Sequence, residues 1–211
     1  MAIRIITGAP GGGKTFYAVK HLRDNYLTKA GKVKKGHTII SNVEGLKVPH
    51  IDLDEAIKAS KKDVNGFFTV DYQKKITEKY PGIVYMIDEA QKYFHKRFYD
   101  KESFFYFQYH RHIGHDIYLI CQSSVSIPTD LRVLAEHEIH AVPRMLSIFG
   151  EFKYRVISGN QTVDHKMLRK NKAVFRLYKS MDYNESEKIR NPFIKYGIGT
   201  VSYTHLTLPT N

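Results

Sequence analysis

Residues 1–15 read MAIRIITGAPGGGKT, and this stretch decides the fold. Ile3-Arg4-Ile5-Ile6-Thr7 is a short β-branched run of the kind buried in a parallel sheet. From Gly8 to Thr15 the chain spells G-x-x-x-x-G-K-T, the phosphate-binding P-loop. Gly8, Gly11, Gly12 and Gly13, with Ala9 and Pro10 between them, let the backbone curl around a polyphosphate with its N–H groups inward, where Cβ atoms would clash. Lys14 reaches the β- and γ-phosphates as a point charge, and the Thr15 hydroxyl ligates Mg²⁺. A helix beginning at Lys14 aims its positive dipole end at the same anion. Phe16, Tyr17, Ala18, Val19 and Leu22 give that helix an apolar stripe, expected over residues 14–27. Strand, loop and helix in this order separate the motif from a chance Gly-rich turn.

A second centre lies at Ile83-Val84-Tyr85-Met86-Ile87, a buried-strand pattern with Asp88-Glu89 at its carboxyl end. In P-loop enzymes an acid at this place holds the Mg²⁺ shell with the P-loop hydroxyl. Asp88 is placed for that task; the alternative is an N-cap on a following helix. Glu89 can orient or deprotonate the attacking water, or simply suit a helix dipole. Charge that develops on the transferred phosphoryl group calls for a guanidinium, with Arg111 the first candidate and Arg132 the second. Either can equally be a solvated surface arginine. Gln122 ends the run Ile117 to Cys121, a strand expected between the two motif strands, where its amide can sense the γ-phosphate or hold the lytic water. An ordinary strand-end Gln is the alternative.

Composition sets the bounds. The 211 residues suffice for one α/β domain, and 33 Lys and Arg against 21 Asp and Glu leave a formal charge of +12. Such an excess suits a polyanionic neighbour or nothing more specific than solubility. A single cysteine, Cys121, sits in an apolar run and reads as a small buried hydrophobe, which excludes a disulfide framework within the chain. The chain enters a strand from its first residues and its longest apolar runs are far too short to cross a bilayer, so a cytoplasmic chain is expected.

Further along, residues 37–41 read as a second strand, 48–53 as an extended piece and 54–57 as the start of a helix capped by Asp52 or Asp54. Phe67 to Val70 suggests a small accessory strand and Tyr72 to Tyr80 a polar helix stopped by Pro81-Gly82. An aromatic-rich helix is expected after Glu89, with Tyr93, Phe94, Phe98 and Tyr99 ahead of Phe104 to Tyr109. That last run reads as core or subunit interface rather than a base-stacking platform. His110, His112 and His115 lack metal-ligand spacing and read as a protonatable patch near the nucleotide or a polyanion. Residues 137–142 suggest one more strand, and 152–157 with 173–178 a small antiparallel appendage. From Tyr196 on, no Lys, Arg, Asp or Glu occurs, and residues 182–211 are expected to be a linker and tail outside the 1–181 domain.

The segments GAPGGGKT, IVYMIDEAQ, RHIGHDIYLICQ, the following DLR and the late VFRLYKS together resemble the N-terminal ATPase domain of the zonula occludens toxin (Zot) family, which includes assembly ATPases of filamentous phages. The resemblance covers residues 1–181. It implies an α/β P-loop fold of the additional-strand type, with the parallel core of RecA- and FtsK/HerA-like proteins. It also implies a homo-oligomeric ring in which each site is completed by a neighbour's arginine, with ATP and Mg²⁺ as cofactors. Lys14 and Thr15 would bind phosphate and metal, Asp88 would support the metal, Glu89 would be catalytic, Arg111 would act in trans and Gln122 would be the sensor. Single-stranded DNA, coat and assembly proteins, and the cytoplasmic face of a host inner membrane would be its surroundings. Relatives continue through a membrane-spanning helix that this chain lacks, so it reads as the ATPase portion.

Two other classes stay in view. A small kinase also opens with G-A-P-G-x-G-K, but needs an Arg-rich lid that the sequence does not offer. A nucleotide-dependent scaffold at the membrane would bind ATP with little turnover.

Overall fold

β1 (Ile3–Gly8) lies inside the sheet, with five of its six residues buried. It pairs in parallel with β5 (Asp116–Ile120) on one side and β6 (His137–Ala141) on the other. The structure is a computed structural model of the chain and describes residues 1–94, 100–143, 150–159 and 161–179. Eight strands form one sheet in the order β3-β2-β4-β5-β1-β6-β7-β8. β2 (Thr38–Ser41), β3 (Ile51–Asp52) and β4 (Ile83–Ile87) extend the parallel part; β7 (Glu151–Ser158) and β8 (Gln161–Arg169) are antiparallel. β5 therefore lies between the strand that feeds the P-loop and the strand that ends in Asp88, as expected of an additional-strand sheet. All five residues of β4 are buried, which is why its sequence reads as an unbroken apolar run.

Each face carries its own core. On one side α1 (Lys14–Tyr26) lays Phe16, Ala18, Val19 and Leu22 against Ile6, Met86, Tyr118 and Ile120. On the other side α3 (Val64–Phe67), α4 (Val70–Lys79), α5 (Lys101–Tyr109) and α6 (Thr129–Val133) cover Ile3, Ile5, Tyr85, Ile117 and Leu119. Phe68 is ringed by Tyr85, Phe94, Tyr106 and Phe107 at centroid distances of 5.2–5.7 Å. The run from Phe104 to Tyr109 thus serves as core through Tyr106 and Phe107, while Phe105 stays exposed. Cys121 is fully buried, and burial pushes its thiol up to about 12.

Several expectations need correction. Phe67 to Val70 is no strand: Asp63 caps α3 by accepting the Gly66 N–H at 2.9 Å, and Phe67 and Phe68 turn into the core between helices. α2 (Leu53–Ser60) starts where expected, with Asp52 accepting the Glu55 N–H at 2.9 Å. Asp88-Glu89 leads not into a helix but into a single 3₁₀ turn, Ala90–Lys92, because Glu89 adopts φ 48°. Phe98 and Tyr99 lie outside the described residues, as does the tail expected from residue 182. Residues 173–178 are not a strand either. Asn171 accepts the Ala173 N–H at 2.8 Å and starts α7 (Lys172–Phe175). The antiparallel partner of β7 is instead β8, and the two strands continue the main sheet rather than forming a separate appendage.

The histidine patch also differs. His115 is fully buried between the Tyr106 hydroxyl (2.9 Å) and the Thr77 hydroxyl (2.8 Å), and burial pulls it down to about 4. Burial lowers His110 as well, while its Nδ1 lies 2.6 Å from the Phe107 carbonyl. These imidazoles are core groups, neutral at ordinary pH.

Candidate active site

The carboxyl ends of β1, β4 and β5 converge on one cavity of about 550 Å³. Pro10, Gly11, Gly13, Lys14 and Thr15 line it from the P-loop, Asp88 and Glu89 from the end of β4, and Gln122 from the end of β5. Neither of the two candidate arginines, Arg111 and Arg132, lines it. Arg111 precedes β5 by a turn, where Gly114 donates to its carbonyl at 3.2 Å and lies beside Met1. That is the amino-terminal edge of the sheet, a strand's length from Gly8. Arg132 lies on α6, where its guanidinium donates to the Thr129 hydroxyl at 2.9 Å, and it does not line the cavity.

The glycines are required by geometry. Gly8 has φ 132° and an added Cβ would stand 2.5 Å from the Ala141 carbonyl oxygen. Gly13 has φ 90° at the start of α1, and its Cβ would fall 2.6 Å from the Phe152 ring. The loop is pinned from outside too: Gly8 N–H donates to the Gln122 carbonyl at 3.1 Å, and the Tyr154 hydroxyl donates to the Gly13 carbonyl at 2.9 Å. Lys14 folds back to donate to the Ala9 carbonyl at 3.2 Å.

Asp88 is a partly buried carboxylate. Burial raises it above its ordinary value, and the Glu89 N–H at 2.9 Å, Lys14 and Lys92 pull it partway back. Glu89, left-handed at φ 48°, presents its carboxylate to the cavity and accepts a hydrogen bond from the Gln91 amide. A non-glycine residue held there stores strain that the surrounding structure must over-determine. Part of that support is Asn42, at the end of β2, whose side chain accepts from Asp88 N–H and donates to Asp88 O.

Asn42 and Lys92 escaped the reading of the sequence. Asn42 is an isolated polar residue after a strand and belongs to no spacing pattern. Lys92 lies three residues beyond Glu89, and the 3₁₀ turn brings it round to the cavity. Phe152, Phe175, Tyr178 and Lys179 also line it; the last three belong to the VFRLYKS segment, but nothing in their spacing pointed to this cavity.

The glycine cradle, a lysine within it, and a hydroxyl and a carboxylate pair lining the same cavity form a donor set that fits a nucleotide polyphosphate with Mg²⁺. A family model described as zonular occludens toxin (Zot) matches residues 2–184. Among solved structures, the N-terminal domain of zonular occludens toxin from Neisseria meningitidis is similar at 22% identity and a TM-score of 0.63, covering 84% of this chain and 98% of that one. The genome packaging NTPase B204 of Sulfolobus turreted icosahedral virus 2, in complex with AMPPCP, is similar at 14% identity and a TM-score of 0.51, covering 80% and 96%. No curated protein matches the chain. The fold is that of the P-loop NTPases, and the chain belongs to the zonular occludens toxin (Zot) family.

Proposed function

We propose that this chain is an ATP-hydrolysing motor domain that drives export of single-stranded DNA in filamentous phage assembly, at the cytoplasmic face of a host inner membrane. The observation that carries the hydrolytic part is the convergence of Lys14, Thr15, Asp88, Glu89 and Gln122 on one cavity from three adjacent strand ends. The P-loop amides and Lys14 would bind the phosphates of ATP. Thr15 and Asp88 would hold Mg²⁺, which when bound neutralises phosphate charge and keeps the reacting oxygens in line. Glu89, oriented by Gln91, would take the proton of the attacking water as the bond to ADP breaks. Gln122 would hold that water or the γ-phosphate. The viral packaging NTPase that shares the fold lends the motor reading support, and the family lends it the phage setting.

Among the described residues no arginine lines the cavity, and the candidate Arg111 sits on the far edge of the sheet. We therefore place Arg111 in the site of a neighbour within a homo-oligomeric ring. The same observation gives the scaffold reading its footing, since a lone copy would bind ATP and turn over slowly. Turnover per chain across a protein concentration series separates the two. A motor shows a steep rise that Arg111→Ala abolishes while ATP binding persists; a rate that is flat with concentration and unchanged by Arg111→Ala sinks the ring. Among the described residues no helix is long and apolar enough to cross a membrane, so attachment there would come through other contacts or other segments.

A further inference from the structure

Beyond the phosphate cradle the lining of the same cavity changes from glycine and lysine to aromatic rings. Phe152 from β7, and Phe175 and Tyr178 from the segment around and after α7, stand on its wall together with Val43. Phe16, which follows Thr15, packs against Phe152 at 5.0 Å and Phe175 at 4.9 Å between centroids, so the rings form one block next to the P-loop. Phe175 and Tyr178 are stacked on each other at 6.2 Å with 30° between their planes, and each keeps 7% of its surface open.

The backbone fixes where those two rings stand. Residues 176–179 are laid as a strap against the turn that follows β2. Lys47 N–H donates to the Leu177 carbonyl at 2.7 Å and Lys179 N–H to the Glu44 carbonyl at 3.0 Å, with the Lys179 ammonium on the Glu44 carboxylate. Gly45, at φ 63°, permits the approach: a Cβ there would meet the Lys179 Cβ at 2.8 Å. The strap thus runs from α7 to the turn after β2 and puts Tyr178 on the wall of the cavity.

A cavity that is polyanion-binding at one end and aromatic at the other matches a ligand built the same way. We propose that Phe175 and Tyr178 form a nucleobase subsite, in which the flat ring of the nucleotide packs against the strap while its phosphates occupy the P-loop. Phe152 has a different task, filling the space that Gly13 leaves open. Stacking on aromatic faces tolerates any base, so the subsite distinguishes nucleotides from bare polyphosphates before it distinguishes one base from another. The inference rests on the nucleotide reading of the P-loop given above.

The test is calorimetric titration of the protein with ATP and with inorganic tripolyphosphate, both with Mg²⁺, for wild type, Tyr178→Phe and Tyr178→Leu. The wild type is expected to bind ATP about tenfold or more tighter than tripolyphosphate, and Tyr178→Leu to lose about tenfold for ATP with tripolyphosphate unchanged within about twofold. Tyr178→Phe keeps the wild-type preference. Equal affinity of the wild type for both ligands overturns the subsite, and so does an equal loss of both ligands in a Tyr178→Leu protein that still melts cooperatively. The wild-type comparison carries the test alone where Tyr178→Leu does not fold. Binding of neither ligand by the wild type is a different outcome: it overturns the P-loop reading itself, and the subsite with it.

Discussion

The side chain of Asn42 holds the main chain of Asp88 on both sides: its Oδ1 accepts from Asp88 N–H at 2.7 Å and its Nδ2 donates to the Asp88 carbonyl at 2.9 Å. The same Nδ2 donates to the Tyr93 hydroxyl at 3.0 Å, and Tyr93 in turn donates to Asp54 at 2.6 Å. The end of β2 and the start of α2 are thereby tied to the residue that would hold the metal. The tie also braces the left-handed step at Glu89 that follows it.

Asn42→Ala removes both bonds while leaving every group that would touch the nucleotide. Misplacing reacting groups by a fraction of an ångström costs rate rather than binding, so turnover should fall about ten- to a hundredfold with ATP affinity held within about threefold. Steady-state turnover set beside calorimetric titration reads both numbers. A parallel loss of affinity would mean that Asn42 shapes the cavity rather than the geometry of Asp88.

Gly13→Ala should destabilise the chain by about 2 kcal/mol or more, because it combines a φ of 90° with a Cβ forced into the Phe152 ring. Gly31→Ala is the control. Gly31 also has a positive φ, 76°, but an added Cβ meets nothing within 4 Å, so only the backbone penalty of about 1 kcal/mol applies. In a chain of this length each kcal/mol moves the melting temperature by about 2–4 °C, so a thermal scan resolves the pair.

Stability should fall as the pH drops from 6.5 toward 4. Thr77 donates its hydroxyl proton to the Gln73 carbonyl at 2.7 Å, so it must accept from His115 Nε2–H, which leaves Nδ1 to accept from the Tyr106 hydroxyl. The folded protein holds His115 near 4, below the unfolded value of about 6.5, so the unfolded chain binds the extra proton in that interval. Its contribution is complete above pH 6.5 and amounts to about 2–3 kcal/mol lost on descending to pH 4. His21, also pulled to about 4 by burial, adds to the slope with the same sign. Denaturant melts at pH 7 and pH 4.5 should show this difference, and His115→Gln should shrink it.

The P-loop and the Asp88-Glu89 strand were legible because their chemistry dictates residue type and spacing together. An unbroken run such as Ile83 to Ile87 has one stable home, a strand covered on both faces. The strand that ends at Gln122 was expected between the two motif strands, and the sheet order has it there. Other parts left no local trace. β8, QTVDHKMLR, is exposed along nearly all its length and exists because β7 pairs with it, so its sequence carries no alternation to read. Phe67-Phe68 mimicked a strand because helix and strand share short apolar runs, and Asp63 as a cap decided between them. Asn42 and Tyr178 reach the site only through long-range contacts, the first across neighbouring strands and the second by way of the strap on the turn after β2.

The most direct test of the account is a comparison of wild type and Glu89→Gln in ATP binding and ATP hydrolysis under the same conditions with Mg²⁺. The substitution keeps the shape and the Gln91 neighbour but removes the group that would take the proton from water. The account predicts ATP affinity within about threefold of wild type, with turnover reduced about a hundredfold or more. Turnover in Glu89→Gln equal to that of the wild type would contradict it, and would leave the cavity as a nucleotide-binding switch with its chemistry elsewhere.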